Sequence, residues 1–318
     1  MDATLNLRPA PAEAAASPAG TPRPIVFHAP GLKPHRTTEY TEHNVREFVS
    51  ISVTGTACAL GCDHCGSAVL KGMTALPRME ESLFELCAKA KAQGARGVLI
   101  SGGSDAKGRV PLLAHIPDMI RARKELGLKL RVHPGLPDEA TCEALGEADL
   151  DGAMVDVIGH EDTIRKVYHL KARPADYEAV LANLERHGIP TVPHIILGLH
   201  YGRMLGEWNA LEMIARHPPK LLVLVLLMPL SGTPMANVAP PEPAAIGEFF
   251  RAARAALPER PVMLGCARPL GPVKREIDRL AIDAGLDGIA YPAEGTVAYA
   301  KEHSRIPQFV NACCGVTW

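Results

Sequence analysis

The stretch VTGTACALGCDHCGSA, residues 53–68, places Cys58, Cys62 and Cys65 within eight positions, spaced C-x3-C-x2-C. It runs on from EFVSISVT (47–54), whose β-branched and aromatic residues predict a strand, so the cysteines fall on the loop that leaves it. Three thiolates on one short loop can converge on a metal centre without help from distant chain, and thiolates favour zinc, copper(I) or iron–sulfur clusters. A structural zinc wants a fourth closing ligand, and His64, next to Cys65, is badly placed to supply it. A set of three leaves one position vacant for substrate or cofactor, as a catalytic centre requires.

Outward from this loop, short β-rich runs alternate with amphipathic stretches, the pattern of repeated βα units and a parallel sheet. Further strands are predicted at 96–101, 128–133, 153–158, 190–197, 221–228, 261–265 and 287–291, with helices between them at 79–93, 111–126, 174–187 and 206–216. Pro111, Pro174 and Pro243 lie near helix starts, where a missing N–H costs little. Eight strands with their crossovers over roughly 250 residues predict an α/β fold, a (β/α)8 or near-complete barrel of parallel strands, with a doubly wound open sheet as the alternative. In 128–133, Leu128, Leu130 and Val132 alternate with Lys129, Arg131 and His133, and in 153–158 Val155 and Val157 oppose Met154, Asp156 and Ile158. The apolar sets should pack on the helices. That leaves a partly polar barrel interior, where a purely structural barrel would be filled with branched apolar side chains.

The chain has 318 residues, 47% of them hydrophobic, enough for a large core. Lys+Arg 34 against Asp+Glu 35 leaves no basic footprint for nucleic acid or an anionic membrane. The longest apolar run, 221–230, is too short to span a bilayer. Residues 1–26 are rich in Ala and Pro with no apolar segment, and are expected to be a disordered tail rather than a signal peptide; the barrel is expected over 27–305 and a C-terminal tail over 306–318. Without an export signal the expected compartment is cytoplasmic, where the eight cysteines stay reduced and clustered ones bind metal. Cys87 and Cys142 fall inside amphipathic helices and read as buried structural thiols.

The cysteine spacing directly after a first barrel strand resembles the radical S-adenosylmethionine (radical SAM) superfamily. The resemblance implies that Cys58, Cys62 and Cys65 bind three irons of a 4Fe–4S cluster, and that the fourth iron takes the amino and carboxylate groups of S-adenosylmethionine. His64 stands where the family places an aromatic residue near adenine. Gly102, Gly103 and Ser104, in ISGGSDAKGRVPL, map onto its glycine-rich methionine-binding motif, with Ser104 in place of an acid and Asp105 as a substitute. Asp156 maps to a ribose-binding position or, as an alternative reading, caps the next helix; His133, His194 and His200 lie at or after strand ends, and His194 is the candidate cofactor contact.

Downstream, Cys266 follows the seventh strand and faces the same mouth, while Cys313 and Cys314 end the chain in NACCGVTW, a tail that can fold over the opening. The three can hold a second, auxiliary iron–sulfur cluster, completed by Arg268, Ser231 or an outside ligand. The pieces LISGGSDAKGRVPL, VHPGL, VDVIGHEDTI, VPHIILGLHYG and GCARPLG are similar to biotin synthase homologues and, within them, to a component of the two-protein lipoyl synthase. That resemblance implies a sulfurtransferase of lipoate biosynthesis. The 5′-deoxyadenosyl radical takes a hydrogen from an octanoyl chain on a lipoyl carrier protein, and a sulfide of the auxiliary cluster captures the carbon. It also implies a sister radical SAM subunit and an electron donor such as ferredoxin or flavodoxin. The alternatives are a radical enzyme of another type with one cluster (biotin synthase-like, mutase or methylase), and a non-enzymatic zinc or iron–sulfur module.

Overall fold

The computed structural model describes residues 22–31, 34–41, 44, 46–77, 81–316 and 318. Its strands are β1 (Arg23–His28), β2 (Phe48–Ser52), β3 (Thr74–Ala75), β4 (Gly97–Ser101), β5 (Lys129–Val132) and β6 (Gly152–Asp156), then β7 (Thr191–Leu197), β8 (Leu222–Leu226), β9 (Val262–Leu264), β10 (Gly288–Ala290) and β11 (Arg305–Val310). The helices are α1 (Leu83–Ala92), α2 (Ile116–Leu126), α3 (Glu139–Gly146), α4 (Glu161–Val167) and α5 (Pro174–Arg186), then α6 (Glu207–Arg216), α7 (Pro243–Ala256), α8 (Pro272–Asp283) and α9 (Thr296–Glu302). Local chemistry sets several of these boundaries. Ser82 and Glu85 form a reciprocal capping box at the start of α1, a device that contributes about 1 kcal/mol. Pro174 and Pro243 open α5 and α7 in the first turn, where no backbone donor is needed.

All strand pairings are parallel, in the order β11-β1-β10-β9-β8-β7-β6-β5-β4-β2-β3. The eight strands anticipated from the sequence are all present, in consecutive order from β2 to β10, as a curled parallel α/β half-barrel rather than a doubly wound sheet. β3 and β11 are the two edges of this order, each paired on one side, so among the described residues strand hydrogen bonding does not close the barrel. The tail expected over 1–26 needs correction: residues 1–21 lie outside the described part, but Arg23–Val26 belong to β1, paired between β10 and β11. The C-terminal tail is likewise shorter than 306–318, because Ile306–Val310 lie in β11. Both strands contain proline, Pro24 and Pro307, and sit at one margin of the sheet, where a missing donor is tolerated.

Side-chain alternation divides the interior in two. Leu130, Val132, Val155 and Val157 join the core between sheet and helices. Met154, Val192, Val223, Val225 and Met263 form a second apolar cluster on the concave side, with Phe48, Cys313 and Cys314. Arg131 and His133 take the inward direction that the sequence alternation required, Arg131 being 1% exposed.

The last residues do not cover the mouth as expected. From Val310, paired with His28 at the upper end of the sheet, the chain turns into the concavity. Arg131 Nη1 and Nη2 donate to the Cys314 and Gly315 carbonyls at 2.9 and 2.8 Å. Trp318 then packs against Phe48 and under the Arg96 guanidinium, at the strand-start end. The tail therefore descends through the barrel and plugs its bottom. Gly315 makes this passage possible: it has φ +68°, and a Cβ there would lie 2.1 Å from Leu221 Cδ2.

Candidate active site

A cavity of about 370 Å³ opens at the C-terminal ends of the strands, where barrels carry their sites. Its wall brings together Cys58, Cys62, Cys65, His64, Gly102, Gly103, Ser104, Asp156 and His194, with His133 and Cys266. Residues separated by more than 200 positions in sequence thus face one space. Much of the remaining wall is aliphatic, including Leu60, Leu99, Val110, Ile196, Val225 and Leu230.

The cysteine loop is shaped by its neighbour after β4. The Val53 N–H donates to Ser101 at 2.8 Å, and Ala59 N–H to Ser104 at 2.8 Å, laying the two segments side by side. Thr54 Oγ1 accepts from Gly103 N–H at 2.7 Å and donates to Ala57 at 2.9 Å. A Cβ on Gly103 would stand 1.9 Å from the Ala57 oxygen and 2.6 Å from Cys58 Cβ. The bare glycine therefore makes room for the cysteine loop itself. On the other flank, Asp63 N–H donates to Val167 at 2.9 Å, and the Asp63 carboxylate meets His169 Nε2 at 3.0 Å and accepts from the Tyr201 hydroxyl.

The Cys62 thiol donates to Cys65, which together with adjacent His64 holds the Cys65 thiol down at about 4. The same hydrogen bond, with burial, pushes Cys62 up. His64 lies 5.0 Å from Tyr168, centroid to centroid, and its Nδ1 is buried without a partner. Among the described residues no three His, Cys, Asp or Glu side chains gather tightly enough for a single ion. The donor set, three sulfurs from one loop with one already inclined to thiolate, has the chemistry an iron–sulfur cluster needs.

Across the cavity, Asp156 closes β6. Burial opposes its charge, but His133, 3.6 Å away, with His194 and His64, outweighs burial and holds Asp156 down at about 2. The Asp156 partnership also raises His133 against its burial. His194 is pushed down by burial to about 4; its Nδ1 lies 3.0 Å from the Val192 carbonyl, so Nδ1 carries the proton and Nε2 is an acceptor. Asp156 does not cap the next helix, because His160 does, its Nδ1 accepting from Asp162 N–H at 3.1 Å.

Other expectations meet a different fate. Asp105 is not free to replace an acid at Ser104: it binds the Lys107 and Arg109 N–H groups and the Arg109 guanidinium. His200 is buried against Thr163 at 3.1 Å and does not line the cavity. Cys87 and Cys142 are buried in the helix-facing core, and burial pushes their thiols up to about 12 and about 11, as structural cysteines require. Cys313 and Cys314 lie under the cavity floor, in the apolar cluster against which Cys266 packs. Arg268 is already engaged: it forms a fully buried ion pair with Asp278 at 3.0 Å and donates to Gly265, Ala290 and Tyr291 carbonyls. Ser231 is exposed and outside the cavity wall. Sequence reasoning missed Tyr168 and Tyr177, which line the cavity from the C-terminal cap of α4 and from α5 without any pattern to mark them.

Residues 52–203 match the model of the Radical SAM superfamily. The biotin synthase of Brucella ovis is 27% identical over 280 residues, covering 83% of this chain and 80% of its own. Among solved structures, methylornithine synthase (PylB) overlays with TM-score 0.54 at 17% identity, covering 77% of this chain and 71% of that one. The FeFe-hydrogenase maturase HydG from Carboxydothermus hydrogenoformans overlays with TM-score 0.60 at 14% identity, covering 91% and 69%. Fold and site thus define a radical SAM enzyme. Residues 52–203 form a Radical SAM domain in a chain similar to biotin synthases, and such a domain implies a 4Fe–4S cluster and S-adenosylmethionine as cofactors. Among the described residues no helix is long and apolar enough to cross a membrane.

Proposed function

We propose that this chain is a sulfur-inserting radical enzyme of the lipoyl synthase type. In this reading Cys58, Cys62 and Cys65 hold the cluster, while Gly102–Ser104, His64, Asp156 and His194 line the place of S-adenosylmethionine. The cluster, when bound, supplies the electron that cleaves S-adenosylmethionine to methionine and a 5′-deoxyadenosyl radical. The protein's own task is positioning. Asp156, ionised and facing the cavity, can accept from ribose hydroxyls, and the aliphatic wall suits an alkyl chain while keeping water away from the reacting carbon. The observation that carries the sulfur-inserting reading is the second set of thiols, Cys313 and Cys314 beneath the cavity floor with Cys266 packed against them and lining the cavity above.

The substrate is then an octanoyl chain on a lipoyl carrier protein, with a sister radical SAM subunit forming the second C–S bond and ferredoxin or flavodoxin supplying electrons. The 27% identity to biotin synthase favours a second reading, sulfur insertion into a free biotin precursor. Iron and sulfide content after anaerobic reconstitution tests the common core. Wild type should load two centres. Cys58→Ala, Cys62→Ala and Cys65→Ala should reduce S-adenosylmethionine cleavage to background. The double replacement Cys313→Ala with Cys314→Ala should keep cleavage but lose thiolated product. Octanoylated carrier protein and a free biotin precursor, assayed side by side, separate the two readings; wild type loading one centre, with no thiolated product from either, rejects both.

A further inference from the structure

Arg131 is a buried cation that no carboxylate among the described residues pairs with. It lies on the inward face of β5, 1% exposed, and its guanidinium contacts two backbone carbonyls, those of Cys314 and Gly315. Its Nε has no partner. No carboxylate among the described residues forms an ion pair with it; Asp151, the acid within its electrostatic reach, is engaged by Arg123 and Lys129. A guanidinium keeps its charge throughout the physiological range, and burying a charge among neutral groups is costly. The other acidic groups within reach of that charge are the thiols of Cys313 and Cys314, 8% and 2% exposed. From β1, His28 completes the seat, its Nε2 accepting from Gly315 N–H at 3.4 Å.

We propose that Arg131 is the clamp and counter-cation of an anionic sulfur–metal centre held by Cys313 and Cys314. Its two carbonyl contacts fix the direction in which the descending tail presents the thiols, and its charge offsets the negative charge that metal-bound thiolates bring into an apolar interior. Arg131 is a positioning residue, since it touches the ligands' backbone and not the substrate. The clamp is a property of the protein alone, whereas the counter-cation role rests on the sulfur-inserting reading.

Two measurements separate these. In metal-free protein, hydrogen–deuterium exchange of the 311–318 peptide should accelerate about tenfold or more in Arg131→Gln, because charge-assisted bonds to the tail are lost. Arg131→Lys, which keeps the charge but reaches fewer carbonyls, should fall between. After reconstitution, Arg131→Gln should carry the iron and sulfide of the Cys313→Ala/Cys314→Ala protein, with the first cluster's spectrum and S-adenosylmethionine cleavage unchanged, while Arg131→Lys retains the second centre. Unchanged tail exchange in both variants overturns the clamp. Full loading and an unshifted second-centre reduction potential in Arg131→Gln overturn the counter-cation role. If wild type holds one centre only, the sulfur-inserting reading and the counter-cation role fall together, and the exchange result still decides the clamp.

Discussion

The two thiol sets of this barrel are built by opposite means. Cys58, Cys62 and Cys65 come from one loop, so eight consecutive residues suffice to bring them to the cavity. Cys266 comes to the apolar cluster that contains Cys313 and Cys314 only because β9 ends at the mouth and the chain after β11 turns inward, with Arg131 and His28 receiving the tail. The first set is held by neighbouring loops, through Thr54, Gly103 and Asp63. The second is held by buried charge, the Arg131 clamp on one side and the Arg268–Asp278 pair on the other. A local site tolerates strain elsewhere in the fold; a site assembled across the barrel inherits the stability of every element that frames it.

Breaking the distant frame should have the largest effect. Asp278 holds Arg268 and accepts from Ala293 N–H and Thr296 Oγ1, tying α8 to the ends of β9 and β10 beside Cys266. Asp278→Ala leaves a buried guanidinium uncompensated and should cost about 3–5 kcal/mol. Thermal unfolding checks this, and a midpoint equal to wild type would show that the pair is not what frames Cys266.

The local frame should respond less in stability and more in loading. Gly103→Ala forces a methyl group to within 1.9 Å of the Ala57 oxygen. The expected cost is about 1–3 kcal/mol, with a marked fall in iron content because Cys58 is displaced. Urea unfolding and iron content together test it: normal iron content would mean that the loop shifts without losing its ligand geometry.

The smallest and most graded contrast is in pH dependence. Burial, with the nearby Arg131 charge, lowers His28 to about 3. Between about pH 6.5 and pH 3 the unfolded chain binds a proton at His28 that the folded chain refuses, so this contribution to stability is full above 6.5 and falls as pH falls. Asp156, held at about 2, contributes stability that is full above the ordinary carboxylate range and is lost progressively as pH falls from that range through about 2. Acid should therefore loosen the tail side before the Asp156 side. Denaturant midpoints for wild type and His28→Gln between pH 7 and 4 should converge toward acid, and parallel curves would remove His28 from the account.

Much of this was legible in the chain. The alternation of Leu130 and Val132 with Arg131 and His133 is enough to give the inward direction of the polar side chains, because a strand has a fixed two-residue period. Asp105 and Arg268 show where such reading stops. Each has the right chemistry beside the right motif, yet each is taken by partners that sequence spacing does not reveal: the Arg109 turn, and Asp278 on a later helix. The route of the tail was not legible either, since nothing in NACCGVTW distinguishes a lid from a plug.

The sequence by itself determined the parallel α/β architecture, the cysteine loop after its first predicted strand, and the resemblance to the radical SAM superfamily that they carry. Those depend on periodicity and on spacings of a few residues, which short-range sterics and hydrogen bonding fix. Only the tertiary structure decided that β1 and β11 extend the sheet, that the last residues descend through the barrel, and that an unbalanced arginine receives them. Those outcomes depend on which distant surfaces can be buried together at least cost in unpaired polar groups and uncompensated charge, and no local pattern records that comparison.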